Sequence, residues 1–98
     1  MGYVRWRPER LAEKLRKIRL ALGLSLSEML RALEVEERIA GSQISEYETG
    51  RREPPLPILL QYARAANVYI DALVDGELDL PDRIPSAKKS EGVRRRGR

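Results

Sequence analysis

The chain contains no cysteine, no histidine and no phenylalanine. Without cysteine there is neither a disulfide framework nor a thiolate nucleophile. Without histidine the common zinc sites and the usual general base are gone as well. The aromatic complement is Trp6 with Tyr3, Tyr47, Tyr62 and Tyr69. Apolar runs are only a few residues long, far below the roughly 20 that a membrane span needs. No apolar stretch follows the amino terminus as it would in a secretory signal, and Trp6 stands where a myristoylation start needs Ser or Thr. At 98 residues, one small domain is expected. What is left is a soluble cytoplasmic domain with no cofactor, no metal and no membrane contact. Catalysis is not expected either: carboxylates are plentiful, but no nucleophile–base constellation or Gly-rich phosphate loop accompanies them.

Charged residues are abundant, at 35% of the chain, and 19 Lys plus Arg against 15 Asp plus Glu leave a net charge of +4. The layout says more than the sum. Residues 5–19 carry Arg5, Arg7, Arg10, Lys14, Arg16, Lys17 and Arg19 against Glu9 and Glu13. From 20 to 50 the balance turns acidic; Arg51 and Arg52 then follow together, and Lys88, Lys89, Arg94, Arg95, Arg96 and Arg98 crowd the end. Basic clusters admit nucleic acid as a partner without requiring it.

Apolar periodicity predicts helices almost throughout. Leu11, Leu15, Ile18 and Leu22 fall on one helical face, and Gly23 supplies a left-handed stop. Ser25 and Glu28 have the spacing of a capping box, and Leu26, Leu30 and Leu33 then line a second helix to about residue 34. Val35 to Gly41 reads as a loop. A short helix from about 41 to 49 offers only Ile44 and Tyr47 to a core, and Gly50 ends it. A fourth helix is expected from about Pro57 to Ala66 with Asn67 as its stop, and a fifth from Val68 to Val74. The organisation read from this is a lead-in over 1–8, a domain over 9–76 and a flexible tail over 77–98. Over residues 81–98, with Pro81, Pro85, Gly92 and Gly97 and few large apolar groups, disorder is expected. The fold class is therefore all-α: five compact helices followed by a disordered basic tail.

The third helix spends little of its surface on a core. Its other positions, Ser42, Gln43, Ser45, Glu46 and Thr49, are short or polar, and an arginine pair follows at once. That is the arrangement of a helix entering a DNA groove with flanking residues on phosphates. Here a resemblance becomes specific. Leu15-Arg16-x-x-Arg19-x-x-x-Gly23-Leu24-Ser25 with Glu28, then Ile44-Ser45-x-Tyr47-Glu48-x-Gly50-Arg51-Arg52-x-Pro54, then Leu59-Leu60-x-x-Ala63-x-Ala65-x-x-Val68, resembles the Cro-like, XRE-type helix-turn-helix domain of the lambda-repressor-like fold.

The resemblance implies a double-stranded DNA partner. The second helix would cross the backbone while the third lies in the major groove. Gly41, Ser42, Gln43, Ser45 and Glu46 would meet base edges, and Thr49, Arg51 and Arg52 would hold phosphate. Arg19 and Glu48 would form a structural ion pair between helices one and three. The family implies transcriptional regulation and a homodimer on two half-sites. A protein-interaction module on the same scaffold, such as an antitoxin-like regulator with a protein partner, is the alternative.

Departures from the pattern qualify this. Leu26 stands where a phosphate-binding Gln is usual, Glu36 to Ile39 lengthen the turn between helices two and three, and Gly41 replaces a side chain that often reads a base. Tyr69 replaces the usual cap of helix five. Glu46 has two readings, a base acceptor for cytosine N4 or a solvated charge that lowers non-specific affinity. The Arg-rich end is either a mobile DNA-binding arm or a solubilising tail. Trp6 and Tyr3 read as cover for a core edge, and basic helix one as a solvated outer face with Arg10 or Arg16 as minor phosphate ligands.

Overall fold

A computed structural model describes residues 7–95. The readings made for Tyr3, Trp6, Arg96 and Arg98 lie outside these residues. Five helices appear in order, α1 (Leu11–Leu22), α2 (Leu26–Ala32), α3 (Gly41–Thr49), α4 (Leu56–Ala66) and α5 (Asp71–Val74). They are followed by β1 (Leu78–Asp79) and β2 (Val93–Arg94), which pair antiparallel.

Local signals account for most of the boundaries. Gly23 sits in the left-handed region at φ 72°, and its N–H donates to the Arg19 and Leu20 carbonyls that α1 leaves open. In α2 the capping box is complete: Glu28 N–H donates to Ser25 Oγ at 3.1 Å, and Ser25 N–H to Glu28 Oε1 at 2.8 Å. The bond from Ser25 N–H holds the Glu28 carboxyl below its ordinary pKa. α2 stops at Ala32 because Glu34 turns left-handed, at φ 60°, and lets Val35 N–H reach back to the Leu30 carbonyl. The extra residues after it form a tight turn in which Arg38 and Ile39 N–H both donate to the Val35 carbonyl. Val35 is buried and Ile39 packs against the core, so the insertion is pinned at both ends.

Leu15, Ile18, Met29, Leu33, Ile44, Tyr62 and Leu73 are fully enclosed at the centre. α1 packs on α3, α4 and α5, and α2 packs on α3. Lys14 shares this interior at 1% exposure, its Nζ donating to the Ala72 and Asp75 carbonyls at 2.8 and 2.9 Å. Basic α1 is therefore not a solvated face throughout. Burial lowers the Lys14 pKa, and two open carbonyls at the end of α5 compensate the charge.

The expected disordered tail is the main correction. Residues 81–95 return to the α4–α5 junction and dock on it. Ser86 N–H donates to the Ala66 carbonyl and Tyr69 N–H to the Ser90 carbonyl, while Asn67 Nδ2 donates to the Ser86 carbonyl at 2.6 Å. Leu80 and Ile84 pack against the core, and Lys89 Nζ lies 4.6 Å from the Tyr69 ring centroid. The segment thus gains backbone partners on the α4–α5 connection and does not rely on a core of its own. α5 is also shorter than expected: Val68 is drawn into a bridge with Ser90, and Tyr69 N–H donates to the Ser90 carbonyl ahead of the helix. All-α describes the five-helix body, and the tail adds a two-stranded ribbon to it.

Arg10 is the other anchor of that ribbon. Its guanidinium donates to the Gly76 and Leu78 carbonyls and to Asp79 Oδ1 at 2.5 Å, which holds the Asp79 carboxyl below its ordinary range. It is a bracket between the start of α1 and β1, so the phosphate role read for it is not where its guanidinium is engaged.

Gly92 makes the docking testable. It has φ 93°, and a Cβ there would lie 2.8 Å from the Asp79 carbonyl oxygen and 3.1 Å from Ala72 Cβ. Gly92→Ala is expected to release the tail while leaving the helices folded. In amide hydrogen exchange, Tyr69 and Ser86 should lose protection and Leu15 and Ile18 should keep it; unchanged protection at Tyr69 would contradict the docking account.

Tyr62 gives a second test. Its hydroxyl is buried with no hydrogen-bond partner among the described residues, and burial, with Glu48 nearby, pushes its ionisation well above the ordinary range. The folded phenol keeps its proton where the unfolded one loses it, so this contribution to stability is complete below pH ~10 and falls as pH rises beyond it. Tyr47 acts in the same sense and Lys14 in the opposite one. Tyr62→Phe should leave stability at neutral pH unchanged or raise it by about 1 kcal/mol. It should also flatten the alkaline decline in urea unfolding; an equally steep decline would refute this.

Candidate nucleic-acid interface

α3 is held by its inner face and open on its outer one. Ile44, Tyr47 and Glu48 point inward and are buried, whereas Ser42 and Thr49 are exposed and Gly41, Gln43, Ser45 and Glu46 are half-exposed. The inner face is fixed by a two-pronged ion pair. Arg19 Nε lies 2.7 Å from Glu48 Oε2 and its Nη2 lies 2.9 Å from Oε1. The remaining prong, Nη1, donates to the Leu24 carbonyl at 3.0 Å. Side-chain exposure is 15% for Arg19 and 4% for Glu48, so the charges are satisfied by each other and not by water. The pair implied by the resemblance is present, and it also ties the α1–α2 turn to α3.

At the start of α3, Gln43 Oε1 accepts from Ala40 N–H at 3.2 Å. This is half of a capping box, because Ala40 has no side-chain oxygen to return the bond. Gln43 therefore has a structural task besides any ligand. Gly41 lies against α2, where an added Cβ would meet Leu26 Cβ at 3.6 Å. Leu26, which the resemblance sets where a Gln is usual, thus makes an apolar approach of α2 to α3.

The end of α3 is organised around one atom. The Glu46 carbonyl accepts from Gly50, Arg51 and Arg52 N–H and from Thr49 Oγ1. Gly50, at φ 79°, makes the reversal. Arg52 is thereby folded back over the helix end, and its Nε donates to Glu46 Oε1 at 3.0 Å. The pair is exposed, 57% for Arg52 and 36% for Glu46. Arg51 is exposed too, with no side-chain hydrogen bond among the described residues. Arg7 Nη1 contacts the Gly50 carbonyl at 3.4 Å, adding a cation beside the turn.

These residues form one continuous face, the outer side of α3 and the turn after it, beside α2. Residues 10–75 match the helix-turn-helix domain family, which is related to XRE-type domains. The chain belongs to this family. The match includes all five helices and the whole α3 face, and it stops before the docked tail. Neither a curated protein nor a solved structure shows significant similarity to the chain. A helix-turn-helix domain is a DNA-binding architecture, in which the second helix of the motif occupies the major groove. Among the described residues, no helix is long and apolar enough to cross a membrane.

Sequence reasoning missed the buried Lys14, the Arg10 bracket and the Glu46–Arg52 pair. Lys14 could have been found, since it lies three residues after Leu11 and four before Ile18, on the apolar stripe of α1. Arg10 and Arg52 left no such signal, because their partners come from a left-handed entry to α1 and from the turn geometry after Gly50.

In this helix-turn-helix domain Arg19→Ala should destabilise the fold by about 3–5 kcal/mol, since it strands Glu48 in the interior. Pairing Arg19→Met with Glu48→Leu should recover most of that loss. Urea midpoints measure both, and a single replacement as mild as the double one would show the pair to be dispensable.

Proposed function

We propose that the chain is a sequence-specific double-stranded DNA-binding regulator of transcription, acting in the cytoplasm without cofactor or catalysis. The observation that carries this reading is the division of α3, locked inside through Glu48 and lined outside by Ser42, Gln43, Ser45 and Glu46. Such a helix presents hydrogen-bonding groups in a fixed orientation, which is what base-edge reading requires. Arg51, exposed beside a turn whose Gly50, Arg51 and Arg52 N–H groups and Thr49 hydroxyl are spent on the Glu46 carbonyl, supplies the phosphate contact that sets the register. The Ser25 end of α2 crosses the backbone in this arrangement. One small domain covers few base pairs, so two copies on half-sites one helical turn apart complete the reading.

Selection from a randomised double-stranded DNA library by the full chain should enrich one motif with two related halves. Arg51→Ala should weaken all sequences alike and flatten the log–log salt dependence by about 0.9 per lost contact. An unchanged slope would remove Arg51 from the phosphate-binding set.

A second reading, a protein-interaction module on the same scaffold, is favoured by one feature. Leu56 and Leu60, one turn apart on α4, are 72% and 42% exposed. Failure of the library to enrich any sequence would select this reading.

A further inference from the structure

We propose that Glu46 is the specificity-determining side chain of α3 and that Arg52 is its positioning residue, the two together selecting cytosine at one position of the DNA site. The inference rests on the DNA-binding reading above and adds the base that is read.

A lone carboxylate is a poor visitor to DNA. It approaches a lattice of phosphates, and entering the groove strips its water. In this structure the Glu46 carboxylate is already engaged: Oε1 accepts from Arg52 Nε at 3.0 Å. The local charge of the pair is zero, so the electrostatic penalty of approach is largely offset before DNA arrives. The contact is also imposed by the backbone. Glu46's own carbonyl gathers the N–H groups of Gly50, Arg51 and Arg52, and this places the Arg52 side chain above the carboxylate of the same residue. Both ends of Glu46 are therefore held by one turn, and its rotamer freedom is restrained where an exposed glutamate would otherwise sweep a cone.

The carboxylate retains lone pairs on Oε2, and it is an acceptor only. In the major groove, guanine and thymine offer acceptors opposite it and repel it. Adenine offers N6–H₂ with the acceptor N7 beside it, whereas cytosine offers the N4–H₂ donor. A held, acceptor-only group thus favours cytosine over the other three bases. Arg52, with Nε committed, still carries four terminal N–H donors for a neighbouring phosphate. It can position the reader and touch the backbone at once.

The test uses the full chain and a randomised double-stranded DNA library, with wild type, Glu46→Gln and Arg52→Lys compared. All three should give the same circular dichroism and melting, because both side chains lie on the outer surface and neither belongs to the buried core. Wild type should prefer cytosine at one position in each half-site by about tenfold or more. Glu46→Gln, with a donor and an acceptor side by side, should move that preference to adenine. Arg52→Lys keeps the charge but loses the planar Nε contact, so it should retain the salt slope and lose the cytosine preference. A residue serving only as a phosphate ligand would leave the preference intact. An unchanged base profile in either variant overturns the proposal while DNA binding stands; no enriched motif with wild type overturns the DNA-binding reading and this proposal with it.

Discussion

The guanidinium of Arg19 reaches three elements at once: α1, from which it projects, the turn into α2 through the Leu24 carbonyl, and α3 through Glu48. Helix-turn-helix geometry needs a fixed angle between two short helices, and neither can set it alone. α2 has seven residues and α3 nine, lengths at which isolated helices do not hold in water. Hydrophobic packing of Met29, Leu33 and Ile44 brings them together without specifying rotation. The bidentate pair adds direction, because a planar fork accepts its carboxylate in few orientations. Everything on the outer face of α3 inherits its aim from that inner contact.

Much of the helical body was legible because its signals are local. Gly23, Ser25 with Glu28, Gly50 and Asn67 each mark a boundary by their own backbone or side-chain chemistry, and the structure has its stops and caps there. The Arg19–Glu48 contact was legible only through the family resemblance, since the partners are 29 positions apart. The tail was not legible. Its composition has too little apolar surface for a core, and the sequence gives no sign that Ala66, Asn67 and Tyr69 hold backbone groups ready to pair with Ser86 and Ser90. Composition reports what a segment can bury by itself, and this segment borrows its partners.

The candidate site was legible as a set of residues and not as an arrangement. Ser42, Gln43, Ser45, Glu46, Thr49, Arg51 and Arg52 do share one face. Yet Gln43 closes the start of α3, Thr49 bonds the Glu46 carbonyl, and Arg52 is folded onto Glu46. Roles that looked separable in the sequence are coupled through the helix ends. The two buried or bracketed cations, Lys14 and Arg10, show the same principle away from the site: charge counted as surface in a composition is spent on carbonyls that α5 and the strand after it leave open.

The two acidic side chains of α3 each have an arginine of their own, Arg19 for Glu48 within and Arg52 for Glu46 without. With both matched, the helix and its partners form an electrically quiet strip beside a cationic end, where Arg7 meets the turn that carries Arg51. Long-range attraction to any polyanion then resides at that end, where dissolved ions screen it over about a Debye length. Short-range hydrogen bonding resides in the strip, where screening has little hold. The fold separates capture from discrimination in space, so ionic strength can govern how often a polyanion is met without governing which one is kept.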